Sequence, residues 1–223
     1  CENNFARSSP EEFEKEVAVV LNAIDEAAHC GAPVLRIFGG YHRDNGGEPG
    51  LRTPAAFGLV SRGIERCLEH AQSCEVILGL ENHGRLPGHS YEVAALIRQF
   101  DSPFLKVTFD PANFIANNMD EPEDPLRAYQ RLKDVTVHVH LKDFGKPVLD
   151  LSRRVEPCLP GKGLVPLRQF LHLLLEDGYE GFGSLEYEVG RLVPELEGIP
   201  QCHAYFKETI ETLEALTKSP VNS

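Results

Sequence analysis

The sequence predicts a parallel α/β fold in one domain over residues 1–223, and three observations favour a (β/α)8 barrel. Short apolar runs, typical of buried strands, alternate along the chain with amphipathic helical segments. No hydrophilic linker is long enough to divide the chain. No strand is followed by the G-x-G-x-x-G turn of an open dinucleotide-binding sheet, whereas polar residues follow strand after strand, as at the mouth of a barrel.

The first half of the chain contains three predicted helices and three predicted strands. Ser9-Pro10 and Thr53-Pro54 each place an N-cap hydroxyl before a first-turn proline, and Gly31 ends the first apolar stripe. The elements in order are a helix from Ser9 to Gly31, a strand over 33–38, a helix from Thr53 to about Ala71, a strand over 76–81, a helix from Ser90 to Phe100 and a strand over 104–110.

The second half continues the alternation with three more helices and two more strands. Asp124-Pro125 caps a short helix that extends to about Lys133. The remaining elements are a strand from Thr136 to Leu141, a helix from Pro166 to Asp177, a strand from Phe182 to Glu188 and a helix from about Pro200 to Thr217.

Composition limits the class of ligand. Lys and Arg number 22 against 34 Asp and Glu, a net charge of −12, which disfavours binding to nucleic acid phosphates. The apolar runs are far shorter than the roughly 18 residues of a membrane span. We therefore expect a small-molecule substrate, neither a nucleic acid nor a membrane partner, and leave association into a homo-oligomer open.

The six cysteines form no C-x-x-C pair and no regular framework. Cys67 falls on the apolar stripe of a predicted helix, and Cys30 falls at a helix end. Buried free thiols are the simplest interpretation, and they favour a reducing, cytoplasmic setting.

Four residues at or near the carboxyl ends of different predicted strands are candidate metal ligands. They are Glu81, Asp110, His140 and Glu186. In a parallel barrel these strand ends converge around one mouth. Three carboxylates and one imidazole suit Mn²⁺, Mg²⁺ or Co²⁺ better than a structural zinc.

Strand periodicity leaves two choices open in this set. His138 and His140 are two residues apart and share a face, as do Glu186 and Glu188. Alternation alone therefore does not select one member of either pair. We expect the other member to be a hydrogen-bonding neighbour or a polar residue at the mouth.

Four motifs at these strand ends, taken in order, resemble the sugar phosphate isomerase/epimerase family of xylose isomerase-like TIM barrels. They are Leu80-Glu81-Asn82-His83-Gly84, Phe109-Asp110-Pro111-Ala112-Asn113-Phe114, His138-Val139-His140-Leu141-Lys142-Asp143, and Gly178-Tyr179-Glu180-Gly181 followed by Leu185-Glu186-Tyr187-Glu188. The resemblance spans essentially the whole chain, and Arg36-Ile37-Phe38-Gly39-Gly40 is similar to the family's fourth strand. It selects His140 over His138 and Glu186 over Glu188.

The resemblance implies a function as well as a fold. One divalent ion, Mn²⁺, Mg²⁺ or Co²⁺ in preference to Zn²⁺, would be held by Glu81, Asp110, His140 and Glu186. Proton transfer through a metal-stabilised enediolate would isomerise or epimerise a small sugar, cyclitol or hydroxy-keto acid, with Glu81 and Glu186 as the catalytic acid/base pair. His83, Asn113 and Lys142 would bind substrate, the alternative for Lys142 being a salt bridge with a neighbouring acid such as Asp143.

Other functions compete with this expectation. Ketohexose epimerases of the family have a histidine and an arginine where this chain has Asn113 and Lys146. A dehydratase acting on a keto-cyclitol could use the same metal site. An apurinic endonuclease is disfavoured by the net charge, and a binding protein with a decayed site by the intact ligand set. Residues 160–163 are interpreted as a turn, with a phosphate-binding loop as the alternative.

Chain length adds one expectation. A complete barrel takes about 250 residues, and Cys1-Glu2-Asn3-Asn4-Phe5 resembles the tail of the family's third strand. We therefore expect a TIM barrel that is truncated at its N-terminus, with strands 4–8 and the end of strand 3 present. The missing upstream segment would supply about two and a half βα units.

Overall fold

The computed structural model describes residues 1–40, 53–116, 122–151 and 154–218. The helices are α1 (Pro10–Cys30), α2 (Pro54–Ser73), α3 (Ser90–Phe100), α4 (Asn113–Ala116), α5 (Pro125–Leu132), α6 (Leu167–Glu176) and α7 (Glu195–Lys218). The strands are β1 (Val34–Phe38), β2 (Ile77–Glu81), β3 (Leu105–Phe109), β4 (Thr136–Leu141), β5 (Asp143–Gly145), β6 (Glu156–Cys158) and β7 (Phe182–Leu185). Within these ranges, every helix is too short or too polar to cross a membrane.

Five strands form one parallel sheet in the order β1-β2-β3-β4-β7. The register pairs Phe38 with Glu81, Glu81 with Thr108, and His140 with Ser184. Because all five strands run in the same direction, their carboxyl ends lie at one edge of the sheet. The parallel α/β class predicted from the alternation of elements is therefore confirmed.

The predicted helix starts are made by the expected capping contacts. The Ser9 side chain accepts a hydrogen bond from Glu12 N at 3.5 Å, and Thr53 Oγ1 accepts one from Ala56 N at 3.2 Å. Gly31 ends α1 with φ of 71°, a left-handed conformation that glycine adopts without a Cβ penalty. These local signals fix where the first two helices lie along the chain.

Aromatic packing ties the helices to the middle of the sheet. Phe109 of β3, Tyr129 of α5 and Phe170 of α6 are fully buried, with ring centroids 5.3–5.5 Å apart. Two of these contacts are edge-to-face, a favourable arrangement for aromatic rings. The cluster anchors β3 one residue before the predicted ligand Asp110.

Two boundaries differ from the sequence prediction by at least three residues, and several short elements were not predicted. Strand β7 ends at Leu185, not at Glu188. Helix α7 begins at Glu195 and contains Pro200 in its second turn, where the missing N–H costs one hydrogen bond to the exposed Leu196. The antiparallel pair β5-β6 and the one-turn helix α4 were not predicted, because segments of three or four residues are too short to show a period.

All six cysteines are free, as expected. Cys67 and Cys202 are buried. Cys30 is exposed, contrary to the expectation of a buried thiol, because it is the last residue of α1 and lies beyond Ala27, the last buried residue of that helix.

Candidate metal centre

The four predicted ligands come together at the carboxyl edge of the sheet. Glu81 ends β2, Asp110 follows β3, and His140 is the next-to-last residue of β4. Glu186 follows β7, where its N–H extends the ladder by donating to Leu141 O at 3.2 Å. Each residue offers one ligand atom, and these atoms all lie within 4.8 Å of one another. We call this set the buried centre.

The imidazole of His140 lies at the middle of the buried centre. Its Nδ1 is 3.4 Å from Glu81 Oε1, 3.7 Å from Asp110 Oδ2 and 3.5 Å from Glu186 Oε2. Strands β2 and β7 are separated by β3 and β4, so their backbones are roughly 14 Å apart at the usual strand spacing. Glu81 and Glu186 nevertheless lie close together, because the sheet curves around these side chains.

Asparagines and backbone amides hold the first two carboxylates in place. Asn113 Nδ2 donates to Glu81 Oε1 at 2.9 Å, and the N–H groups of Ala112 and Asn113 donate to Asp110 Oδ1. Asn82 and the Asp110 backbone exchange two hydrogen bonds of 2.8 Å. These contacts fix the ends of β2 and β3. They use Glu81 Oε1 and Asp110 Oδ1 and do not involve Glu81 Oε2 or Asp110 Oδ2.

Two basic side chains face the carboxylates of the buried centre. Arg36 Nε lies 3.4 Å from Glu81 Oε2. Lys142, which is 4% exposed, places Nζ 2.9 Å from Asp110 Oδ2, 2.5 Å from Glu186 Oε2 and 2.8 Å from Glu188 Oε1. Burial lowers the pKa of Lys142, but these carboxylates outweigh it and raise that pKa above its usual range. Lys142 is thus a permanent counterion.

The protonation of Asp110 and His140 reflects the same charges. Burial raises the pKa of Asp110, but Lys142 and then His140 outweigh it and lower that pKa to about 2. Burial opposes protonation of His140, yet contacts with Asp110 and Glu81 raise its pKa to about 9. The raised pKa of His140 shows that the carboxylates favour a positive charge at this point, and a bound cation would replace the proton of the imidazole.

Several donor atoms of the buried centre fit a metal ion. Glu81 Oε2, Asp110 Oδ2 and His140 Nδ1 are buried and make no hydrogen bond, although Arg36 and Lys142 form ion pairs with the two carboxylates. A carboxylate has about four lone-pair sites, so an ion pair leaves room for a metal. Three oxygen donors and one imidazole fit a hard or borderline divalent cation.

The residues that periodicity could not exclude lie beside the ligands. His138 Nε2 is 2.8 Å from Ser184 Oγ, and its ring packs edge-on against His140. Glu188 is 41% exposed and contacts Lys142, which in turn contacts Asp110 and Glu186. Both have the neighbouring role expected of the unselected member of each pair.

The other predicted pocket residues, His83 and Asn113, border the same edge. The half-buried ring of His83 packs against Phe38 with centroids 4.5 Å apart, and burial lowers its pKa. Asn113 starts α4 and bonds Glu81. The structure thus brings His83, Asn113 and Lys142 to the border of the buried centre.

The alternative for Lys142, a salt bridge with a neighbouring acid, is confirmed for Asp110, Glu186 and Glu188, whereas the acid named as an example, Asp143, makes other contacts. Its carboxylate instead accepts hydrogen bonds from the N–H groups of Phe144, Gly161, Gly163 and Val165. A Cβ on Gly163 would lie 2.2 Å from Asp143 Oδ1, so the loop closes only around glycine. Because this carboxylate occupies the loop amides, residues 160–163 form a turn and not a phosphate-binding loop.

Sequence reasoning did not identify Arg36 and Asn82 as parts of the site. Arg36 could have been found from its charge, since it lies in the middle of the apolar strand Val34–Phe38. Asn82 directly follows the ligand Glu81, but its hydrogen bonds to Asp110 cross between strands and leave no local signal.

Comparison with known proteins gives a family match over nearly the whole chain. Residues 2–215 match the model of a family described as xylose isomerase-like TIM barrel. The comparison with curated proteins finds no match.

Solved structures share the fold at low sequence identity. A xylose isomerase domain protein from Planctomyces limnophilus has a TM-score of 0.74 at 21% identity, over 95% of this chain and 69% of that one. A xylose isomerase-like TIM barrel protein from Mycobacterium smegmatis, in complex with magnesium, has a TM-score of 0.73 at 19% identity, over 96% and 72%. An L-ribulose 3-epimerase has a TM-score of 0.77 at 16% identity, over 99% and 76%. The fold is therefore TIM-barrel-like.

Proposed function

Because the chain belongs to the xylose isomerase-like TIM barrel family, we propose that it is a divalent-metal-dependent isomerase or epimerase. Its substrate is a small sugar, cyclitol or hydroxy-keto acid. The observation that carries this proposal is the convergence of Glu81, Asp110, His140 and Glu186 within 4.8 Å at the carboxyl edge of a parallel sheet. That edge is where active sites of this fold lie.

The buried centre would hold the metal through its three carboxylates and His140. The protein of similar fold from Mycobacterium smegmatis, solved with magnesium, supports a hard divalent cation. When bound, such an ion supplies Lewis acidity that polarises a substrate carbonyl and makes the neighbouring C–H more acidic. Mn²⁺, Mg²⁺ and Co²⁺ match this donor set better than Zn²⁺ does.

Glu81 and Glu186 are the proposed acid/base pair. Their oxygens lie 3.4 and 3.5 Å from the same atom, His140 Nδ1, so they face one small space. Glu81 Oε2 is buried, makes no hydrogen bond and lies 3.4 Å from Arg36 Nε, and we assign it the acceptance of a proton from a substrate carbon. Glu186 binds Lys142 through Oε2 and keeps Oε1 for the return of a proton. Removal by one carboxylate and return by the other inverts a carbon centre.

Three side chains at the border of the buried centre supply substrate contacts. Asn113 has a second N–H besides the one given to Glu81. The Lys142 ammonium uses its three N–H groups on carboxylates, so it would donate to a substrate oxygen in exchange for its contact with the exposed Glu188. His83 packs its ring on Phe38 at the same edge, and we assign its imidazole to a substrate oxygen. Such donors orient a polyhydroxylated substrate relative to the two glutamates. The epimerase among the similar folds supports a substrate of this kind.

The proposal is tested by metal-dependent turnover in D₂O. Protein stripped with a chelator is reloaded with Mn²⁺, Mg²⁺, Co²⁺ or Zn²⁺ and incubated with a panel of ketoses and keto-cyclitols. We expect new isomers carrying deuterium at the exchanged carbon, and only with metal. An absorbing enone would instead identify the alternative, a dehydratase acting on a keto-cyclitol.

Two Glu→Gln variants, one in the buried centre and one outside it, make the test specific. Glu186→Gln removes a ligand and a proposed base, so we expect a loss of about 10²–10⁴-fold in turnover together with weaker metal binding. Glu180→Gln changes an exposed glutamate at the opposite end of β7 and should behave as the unsubstituted protein. A protein that binds no divalent metal, or equal turnover by both variants, would contradict the proposal.

A further inference from the structure

A second group of metal-ligating side chains lies on the surface between α1 and α2. Asp25 Oδ1 is 2.7 Å from His70 Nε2 and 4.0 Å from Cys74 Sγ, and Cys74 Sγ is 3.8 Å from His70 Nε2. The three donor atoms therefore face one another in a triangle. We call these residues the surface cluster. The metal-dependent function proposed above does not use it.

The backbone holds the surface cluster in position. His70 and Cys74 are four residues apart at the end of α2, where Cys74 N donates to His70 O at 3.0 Å and Val76 N to Ala71 O at 2.9 Å. Four-residue spacing places both side chains on one face of the helix. Asp25 follows the fully buried Ile24 on α1, whose packing against α2 sets the distance between the helices.

The contacts do not fit a nucleophilic Cys-His-Asp arrangement. In such a site the cysteine and the carboxylate contact different nitrogens of the imidazole, so that the base can relay a proton. Here Asp25 and Cys74 both approach Nε2 of His70. The carboxylate oxygen, the thiol sulfur and His70 Nε2 instead surround a single point, as ligands surround an ion.

We propose that Asp25, His70 and Cys74 form a Zn²⁺-binding site. Sulfur, imidazole nitrogen and carboxylate oxygen are the ligand types that zinc takes, and the thiolate selects it over Mg²⁺. The proposed role is to connect the end of α2 to α1. With three protein ligands, the fourth tetrahedral position is left for water.

The distances are close to those that zinc requires. Tetrahedral Zn–S and Zn–N bonds put neighbouring ligand atoms about 3.3–3.6 Å apart. The two sulfur contacts, at 3.8 and 4.0 Å, contract slightly, and the 2.7 Å contact between Asp25 and His70 opens by about 0.6 Å. Asp25 is 62% exposed and can make this shift by a change of rotamer.

Cobalt absorption separates the surface cluster from the buried centre, because the buried centre contains no sulfur ligand. The metal-free 223-residue chain is titrated with Co²⁺, and thiolate-to-cobalt charge-transfer absorption is recorded in the near ultraviolet. Because the buried centre also takes Co²⁺, we expect this band to saturate by two equivalents per chain, or at one equivalent in Glu186→Gln, and to disappear when Zn²⁺ is added. Cys74→Ser should abolish the band, and His70→Gln should weaken Co²⁺ binding at least tenfold.

Two controls keep this test independent of the proposed enzyme. Cys30→Ser changes an exposed cysteine at the end of α1 and should keep the full band. Glu186→Gln disables the buried centre and should also keep it. A missing band in the unsubstituted chain, or a band that survives Cys74→Ser, overturns the proposal. Circular dichroism of each variant verifies folding, and His70→Gln serves as the second test if Cys74→Ser does not fold.

Discussion

The buried centre and the surface cluster use similar ligand types but differ in how their charge is balanced. Glu81, Asp110 and His140 are 0–7% exposed, whereas Asp25 is 62% and His70 36% exposed. Water solvates the carboxylate at the surface. In the interior, a carboxylate without water requires a partner within the protein, because transfer of an isolated charge out of water is very unfavourable.

The basic residues around the buried centre follow from this difference. Lys142 contacts Asp110, Glu186 and Glu188, and Arg36 contacts Glu81. Beside the surface cluster, Arg66 is bound to Glu14 through two contacts of 2.8 and 3.1 Å. Asp25 contacts His70 instead of this arginine. A site at a sheet end thus depends on resident counterions, and a site on a helix surface does not.

Removal of Lys142 is expected to have the largest effect. Lys142→Met leaves the fully buried Asp110 without its ammonium partner, which should lower the free energy of unfolding of the metal-free protein by about 3–5 kcal/mol. Mn²⁺ at saturating concentration should restore part of this loss, because the ion supplies positive charge at the same oxygens. Urea unfolding with and without Mn²⁺ measures both effects.

Lys146→Met is the matched control, since Lys146 is exposed four residues further along the chain. Its free energy of unfolding should change by no more than about 0.5 kcal/mol. A Lys142 variant as stable as this control would show that the buried carboxylates do not need a resident cation, and the contrast between the two regions would then fail.

The second prediction concerns the support of the ligands. Asn113→Ala removes the amide that orients Glu81, so we expect divalent metal to bind the buried centre about 10–100-fold more weakly. Isothermal titration with Mn²⁺ measures this, and Asn22→Ala, at an exposed position of α1, is the control. The surface cluster should keep its cobalt absorption in both variants. Unchanged Mn²⁺ affinity in Asn113→Ala would mean that Glu81 needs no such support.

Much of this architecture could be predicted from sequence because its signals are local. Caps such as Ser9 and Thr53 fix helix starts, and short apolar runs fix strands whose carboxyl ends must meet in a parallel sheet. That is why Glu81, Asp110, His140 and Glu186 could be grouped before their distances were known. Periodicity could not separate His138 from His140, since both face the same side.

The rest depends on contacts between distant segments. Lys142 forms the expected salt bridge, but its partner Glu186 is 44 residues away, and the nearby Asp143 instead closes a loop. The surface cluster joins residues 45 and 49 positions apart, on helices whose mutual orientation no local pattern specifies. Such contacts arise from the curvature of the sheet and from the packing of α1 on α2.

The smallest expected effect is that of Asp25→Asn in metal-free protein. This substitution removes the charge from a contact of 2.7 Å that is largely exposed, and such pairs contribute about 0–1 kcal/mol to the free energy of unfolding. If zinc binds the surface cluster, the same substitution should matter more in its presence, because a neutral amide is a weaker ligand than a carboxylate. Urea unfolding at several Zn²⁺ concentrations therefore separates the two roles of Asp25. If the loss of unfolding free energy is as large with zinc as without it, Asp25 and His70 form a simple ion pair. A loss that grows with zinc would show that the surface cluster, like the buried centre, derives part of its stability from a cation.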